Sequence, residues 1–408
     1  MVQKSYEEKG TATLMSRKPE QHLAEVKALV GRRPTVTMGL VEAARAQATI
    51  ARDVAAEFDS PRFDNSQMDG YALSEDHVAA TPGQFRVGAT IPAGTDPAEA
   101  YPDGITNAIV PIMTGAKVPH GTAAIVPVEK CTPETFGAEG EFIQVPPTPH
   151  GQFVREQGSD IKAGSTIVPA GTTVTPAVVA TLAGQSIAEV EVLRPARLVL
   201  VTGGAEIGTS GSAAIPDANA PMMEAMAARY GMSIAGHVRT NDDPAQLERD
   251  LKQAVADYAP DAIITSGGIS HGKFEVIRQV LETGGWFGHV DQQPGGPQGL
   301  STINGTPVIC LPGNPVSTMV SFLLYVATVL GHAPKPLEAL LTEEVTGLPA
   351  KDQFRRGQLH FEGGQARVTP VGGPGSHLIS QSVPANCLMR VPLSSTIARD
   401  GRVMVYPF

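Results

Sequence analysis

From residue 196 to residue 331 the chain alternates short apolar runs with stretches of helical spacing, and this rhythm constrains the fold more than any other feature. ARLVLVT, MSIAGHV, DAIITS and TPVICLP read as strands, whereas NAPMMEAMAARYG, NDDPAQLERDLKQAVADYA, KFEVIRQVLETGG and PVSTMVSFLLYVATVLG read as helices. Asn219 is the expected cap of the first helix, with Gly231 at its end; acidic caps and Pro244 open the second. Strands alternating with helices of this length need βαβ crossovers and give a doubly wound α/β domain on a parallel sheet.

The texture differs elsewhere. Residues 1–19 are polar, and 19–30 and 41–56 have helical spacing, the latter rich in alanine, a strong helix former. From Phe58 to about Val154, β-like runs at 84–87, 108–113, 123–128 and 141–145 alternate with Pro/Gly turns. TPAVVATLAGQ reads as a helix opened by Pro176 and closed at Gly184. Short strands return at 357–361, 366–370, 387–391 and 402–406. A chain of 408 residues exceeds one ordinary core, since domains commonly run about 100–200 residues. The expected division is a mixed α/β linking domain at 20–61 plus 155–193, a β-rich domain at 62–154, the α/β domain at 194–332 and a C-terminal β domain at 333–408.

The formal net charge is −10, with no basic stripe of the kind a nucleic-acid binder needs, so no nucleic-acid partner is expected. No run approaches the roughly 18–20 apolar residues that span a bilayer. The longest, 316–330, is broken by Ser317, Thr318 and Ser321, so no membrane contact is expected either. The first 21 residues carry no apolar segment of a secretory signal. Cys131, Cys310 and Cys387 are far apart, without zinc-site spacing, which suits a reducing compartment; Cys310, inside TPVICLP, is expected to be a buried packing residue. The expected location is the cytoplasm.

Ligands of open parallel sheets bind outside the carboxyl ends of the strands. Three such ends carry unusual loops: Thr202-Gly203-Gly204-Ala205-Glu206, Thr265-Ser266-Gly267-Gly268-Ile269-Ser270 and Leu311-Pro312-Gly313-Asn314-Pro315-Val316-Ser317. Glycine lets a backbone approach a ligand and turn its N–H groups inward, and a helix start opened by Asn314 and Pro315 attracts phosphate or another oxyanion. For one loop alone, a tight turn is the simpler explanation; several at one sheet edge favour an anion site. In the β-rich part, 63–72 packs Asp64, Asn65, Ser66 and Asp69 around Gly70, a pattern that a structural turn also explains. Thr114 lies beside Gly115, Asp160 offers another carboxylate, and Asp242 and Asp243 precede a helix that one of them caps. Carboxylates without neighbouring lysines suit Mg²⁺, which favours oxygen ligands and phosphate-bearing substrates.

FDNSQMDGYAL, IMTGAKVPHGTAAIVPVE, SGGISHG, LPGNPVS and GSHLISQSVPANCLM occur in one order along the chain. Together they resemble the molybdopterin molybdenumtransferase family, the MoeA and gephyrin E-domain group, from about residue 20 to the end. The resemblance implies four-domain subunits with a β-rich insertion, a C-terminal β-barrel-like domain and assembly as a homodimer. It implies a reaction on adenylylated molybdopterin and molybdate, with Mg²⁺ assisting release of AMP, and contact with the molybdopterin adenylyltransferase is a possible partnership. By motif position, Asp69, Thr114, Asp160, Asp242 and Glu206 correspond to the catalytic polar residues. Ser266, Gly267, Gly268, Pro312, Gly313, Asn314, Pro315, Ser317 and Gln293 correspond to the substrate-binding loops. Arg356 and Ser376 correspond to a molybdate-facing pair, and Asp242 and Glu275 to metal ligands.

Three departures stand out. TGGAEIG replaces the family's TGDEL, so an aspartate is absent and Glu206 is displaced by one position; Glu275 stands where aspartate is usual; and QPGGP replaces KPGKP, putting Gln293 and Gly296 in place of two lysines. A lost charge-assisted contact is worth roughly 1.5–3 kcal/mol, or about ten- to a hundredfold in binding. Two readings follow: a molybdenum-inserting enzyme with altered anion contacts, or a diverged non-catalytic paralogue that binds the pterin nucleotide or acts as a scaffold. His271, His289 and Lys273 are the nearby residues able to restore charge.

Overall fold

A computed structural model describes residues 16–203, 215–240, 243–269 and 275–408. The chain forms two compact units, one of 37–45 with 49–192 and the other of the described residues up to 36 with 46–48 and 193–408.

In the first unit, Gly70–Leu73 is the middle strand of an antiparallel sheet, between Val110–Ile112 and Ala124–Pro127. Tyr71 and Leu73 enter one apolar core while Ala72 enters another, as the two-residue period of a strand requires. Gly70 cannot carry a side chain: a Cβ there would lie 2.0 Å from the Val126 carbonyl oxygen. The alanine-rich stretch at 41–56 is not one helix. The helix Leu40–Arg45 stops before Gln47, whose φ of 49° leaves the helical region, and Thr49–Ile50 and Val54–Ala55 continue as strands. Val54 and Ala55 find cross-strand partners in Thr166–Val168, so β-branched residues and long-range pairing override alanine's local preference.

The second unit carries the α/β domain. Its elements are Pro19–Val30 (α1), Arg197–Gly203 (β1), Asn219–Arg229 (α2), Ser233–Thr240 (β2), Pro244–Tyr258 (α3), Ala262–Ser266 (β3), Val276–Leu281 (α4), Trp286–His289 (β4), Pro297–Ile303 (β5), Thr306–Leu311 (β6) and Pro315–Ser321 (α5). The sheet order is β2-β1-β3-β6-β5-β4. The strands β2, β1, β3 and β6, the four read from the sequence, run parallel, whereas β5 and β4, which the sequence reading did not include, are antiparallel additions at one edge. Alternate residues of β1 face opposite cores. Leu198 and Leu200 pack with Met223 and Ala227 of α2, and Val199 and Val201 with Leu247 and Leu251 of α3. Helices therefore cover both faces. Beyond α5 the helix continues through a π-helical stretch, Phe322–Ala327, to Leu330.

The same unit ends in a barrel. Leu337–Leu341 (β7), Asp352–Glu362 (β8), Gln365–Pro370 (β9), Cys387–Val391 (β10) and Arg402–Pro407 (β11) pair in the cycle β8-β9-β7-β11-β10-β8, which closes five strands on themselves. The closing strand β7 has the sequence LEALL, a helix-prone composition held extended by partners on both sides. A short strand, Gln292–Gln293, pairs in parallel with the start of β8. Cys131, Cys310 and Cys387 are buried free thiols, pushed up by burial to about 11, 12 and 12, which keeps them protonated. No helix among the described residues is long and apolar enough to cross a membrane.

His22 of α1 is fully buried, 5.4 Å from the Trp286 ring and edge-on to Tyr325 at 4.6 Å. Burial, with the nearby positive charge of Arg17, pushes its pKa down from 6.5 to about 3. The folded chain thus holds His22 neutral while the unfolded chain takes up a proton below about pH 6.5, so stability falls as pH drops from there toward 3. Going from pH 7.5 to pH 5 should cost about 2 kcal/mol through this group. Urea unfolding followed by the fluorescence of the single tryptophan, Trp286, tests this. His22→Phe should remove that part of the pH dependence; an unchanged pH slope would rule out His22 as its source.

Candidate functional site

A cleft of about 1080 Å³ opens at the carboxyl ends of β1, β3 and β6 and is also lined by residues 374–377 from the barrel's β9–β10 connection. Two of the glycine loops meet in it. A Cβ on Gly313 would sit 3.1 Å from the Cα of Gly267, and Gly267 and Gly268 have φ of 92° and 64°, in the left-handed region. The backbones touch because neither loop has a side chain there. Gly267, Gly268, Pro312, Gly313, Asn314 and Pro315 all line the cleft, and Ser317 joins them from the first turn of α5.

Ser266 lies beneath this surface. Its hydroxyl is within 3.1 Å of Thr318 Oγ1 and 3.3 Å of the Pro312 carbonyl oxygen, so it joins the two loops rather than facing the cleft. Asn219 completes the join. Its Nδ2 donates to Ser266 Oγ at 2.9 Å and to the Gly313 carbonyl at 2.7 Å. The expected helix cap is instead Asp217, whose Oδ1 accepts from the amides of Asn219 and Ala220 and whose Oδ2 accepts from Thr202 Oγ1 at 2.6 Å. Burial alone would raise the Asp217 carboxyl, but the Ala220 amide, the Thr202 hydroxyl and the Arg239 charge hold it below the usual range. A cap placed two residues early releases Asn219 to bridge the loops.

The loop amides divide into two groups. Gly267 N–H donates to the Leu311 carbonyl, Val316 N–H to the Ser376 carbonyl and Thr318 N–H to the Asn314 carbonyl. Among the described residues, the amides of Gly268, Gly313 and Asn314 meet no acceptor. Unsatisfied N–H groups lining a cleft are donors for an oxyanion.

The molybdate-facing pair separates. Ser376 lines the cleft, held by Asn314 Nδ2 donating to its Oγ at 3.0 Å. Arg356 is buried and is not in the lining; its guanidinium donates to the carbonyls of Gly373 and Leu378 and to Ser382 Oγ at 3.2 Å. Its planar fork is occupied in pinning the loop that carries Ser376. Gln293 and Glu275 line the cleft, and Gln293 Oε1 accepts from Gln353 Nε2 at 2.7 Å. Glu206 and Asp242, with His271 and Lys273, lie outside the described residues. Among the described residues no group of three or more His, Cys, Asp or Glu side chains is gathered around a point.

In the other unit, Asp69 and Thr114 come together at the sheet end fixed by Gly70. Asp69 Oδ1 accepts from the Thr114 amide at 2.7 Å and from Thr114 Oγ1 at 2.8 Å. These two bonds, the amide first, hold the exposed Asp69 carboxyl below its usual range. Asp160 is exposed on a separate segment whose backbone pairs with Ser60; among the described residues no hydrogen bond links it to Asp69 or Thr114. The Asp64 carboxylate is structural, accepting from the Gln157 amide at 2.7 Å.

Known proteins carry the same architecture. Residues 17–186 match the MoeA N-terminal region (domain I and II), 199–332 a probable molybdopterin binding domain, and 338–408 the MoeA C-terminal region (domain IV). Molybdopterin molybdenumtransferase 2 of Mycobacterium tuberculosis is 36% identical over 364 residues, spanning 83% of this chain and 87% of that one. The chain belongs to the molybdopterin molybdenumtransferase family. A Haemophilus influenzae member is 30% identical across 92% of this chain and 95% of its own. The fold matches the moeA protein of Pyrococcus horikoshii with a TM-score of 0.76, at 22% identity over 97% of this chain and 100% of that one. Membership places the chain among proteins of molybdenum cofactor biosynthesis.

Two outcomes follow from the geometry. Asn219→Ala removes both ties to the loops and should lower stability by about 1–2 kcal/mol. It should also speed hydrogen exchange in peptides covering 262–269 and 306–319, and unchanged exchange would remove Asn219 as the latch. Thr114→Val removes the hydroxyl bond but leaves the amide bond. The Asp69 carboxyl, followed by NMR titration, should rise part of the way toward 3.8 and stay below it; no rise would mean the hydroxyl does not act on it.

Proposed function

We propose that this protein inserts molybdenum from molybdate into adenylylated molybdopterin and releases AMP. The observation that carries this reading is the pair of touching glycine loops, whose Gly268, Gly313 and Asn314 line one cleft with amides that meet no acceptor among the described residues. A pyrophosphate seated there is held by fixed backbone dipoles, which suits a chain of net charge −10. Ser376, held against the Asn314 loop, offers a hydroxyl to molybdate, and Arg356 fixes the segment that carries it. Asp69 and Thr114, with Asp160, are the polar residues of the other unit that the family resemblance assigns to the reaction; the bonds from Thr114 fix the Asp69 carboxylate and hold it below its usual range.

Glu275 on the cleft wall suits Mg²⁺, which is commonly held by one or two carboxylates together with substrate phosphates. Bound there, Mg²⁺ would neutralise phosphate charge as the adenylate leaves. Asp242 is proposed as a second ligand on the resemblance. On the same ground we propose a cytoplasmic homodimer that meets the molybdopterin adenylyltransferase.

The replacement of two motif lysines by Gln293 and Gly296 favours a second reading, a paralogue that binds without turnover. Reconstitution with adenylylated molybdopterin, molybdate and Mg²⁺ separates the two. AMP release with formation of active cofactor supports insertion, whereas nucleotide binding without AMP release at millimolar molybdate supports the second reading. Asp69→Asn should slow turnover at least tenfold (about 1.4 kcal/mol) with unchanged melting temperature; full activity would exclude Asp69 from the mechanism.

A further inference from the structure

The cleft residue that replaces a motif lysine, Gln293, is one end of a directional chain of side chains. Gln293 stands opposite Gln353 in the parallel pairing of Gln292–Gln293 with β8, and Gln353 and Arg355, two residues apart on β8, share one face. Arg355 donates to Gln353 Oε1 through Nε at 3.1 Å and Nη2 at 2.7 Å, and its Nη2 also reaches the Thr346 carbonyl at 2.7 Å. Gln353, buried, passes the contact on: its Nε2 donates to Gln293 Oε1 at 2.7 Å.

Chemistry alone sets the direction. A guanidinium can only donate, so Gln353 must turn its oxygen to Arg355 and its nitrogen to Gln293. Gln293 must then accept through oxygen, which leaves its NH₂ group as the end of the chain at the cleft wall. Arg355 forms no ion pair with a carboxylate among the described residues, and its charge polarises both amides toward the cleft.

We infer that Gln353 and Arg355 are positioning residues that aim the Gln293 amide donor at a bound oxyanion, so that a guanidinium set back in the barrel, relayed through two carboxamides, takes over the contact of a surface lysine. This inference rests on the cleft being an oxyanion site, and the oxyanion is either molybdate or a nucleotide phosphate. The Arg of the FRRG segment that acts on the ligand contact is thus Arg355, while Arg356 acts on the Ser376 loop.

The test is calorimetric titration of the full chain with molybdate and, separately, with AMP. Gln353→Glu keeps the acceptor for Arg355, and adds an ion pair that preserves the fold, but can no longer donate to Gln293. It should weaken one of the two probes by roughly tenfold, and the weakened probe identifies which oxyanion Gln293 touches. Gln293→Ala should weaken the same probe by a similar factor, and the double variant should be no worse than either single. A merely structural role for Gln353 would instead give multiplying effects. Arg355→Met, which frees both amides to rotate, should weaken that probe several-fold and serves if Gln353→Glu does not fold. Unchanged affinity for both probes in Gln353→Glu and Arg355→Met, with wild-type binding intact, overturns the relay alone. Failure of the wild-type chain to bind either probe overturns both the relay and the proposed function.

Discussion

The approach of Gly267 to Gly313 is the constraint around which the cleft is arranged. Neighbouring parallel strands, β3 and β6, end side by side, and their loops touch because neither bears a Cβ at the contact. Gly268, Gly313 and Asn314 line the cleft beside this touch, and their amides have no acceptor among the described residues. A latch of small polar groups then locks it: Asn219 to Ser266 and Gly313, Ser266 to Thr318, Thr318 to Pro312. Ser266, Thr318 and Pro312 are buried and Asn219 is partly buried, so the bonds among them form where water competes poorly, whereas the bond from Asn219 to Gly313 lies at the exposed edge.

Much of this architecture was legible in the sequence, because hydrophobic period and glycine placement are local signals. The α/β rhythm located the four parallel strands, and glycine loops at strand ends marked the cleft. What escaped depends on partners distant in sequence. The strand Leu337–Leu341 is composed of helix formers and is extended only because β9 and β11 flank it. The antiparallel pair β4 and β5 follows from edge pairing that no periodicity encodes. Asn219 precedes a proline-containing helix and so reads as its cap; only the Asp217 carboxylate, two residues upstream in PDAN, frees it for other work. Arg355 and Arg356 are adjacent and identical in type, yet strand alternation sends them to different tasks.

The electrostatic design suits an acidic chain. A strongly basic pocket would draw the surrounding carboxylates as well as the ligand, whereas backbone amides and carboxamides present partial charges in fixed directions. Loss of the two motif lysines therefore does not strip the cleft of donors: peptide groups, Ser376 and the Gln293 amide remain in its walls. The departure from the family pattern changes how charge is delivered more than whether donors are present.

The two-residue strand Gln292–Gln293 belongs by sequence to the α/β domain but is hydrogen-bonded into the barrel through Asp352 and Gln353. A boundary drawn near residue 333 thus severs a cleft-lining side chain from the groups bonded to it. Chimaeras between relatives that exchange barrels alone would mate one protein's amide with another's β8, and the mismatch would surface as lost ligand affinity in a soundly folded hybrid. The structural module is the pair of segments 290–298 and 352–356, which should travel together.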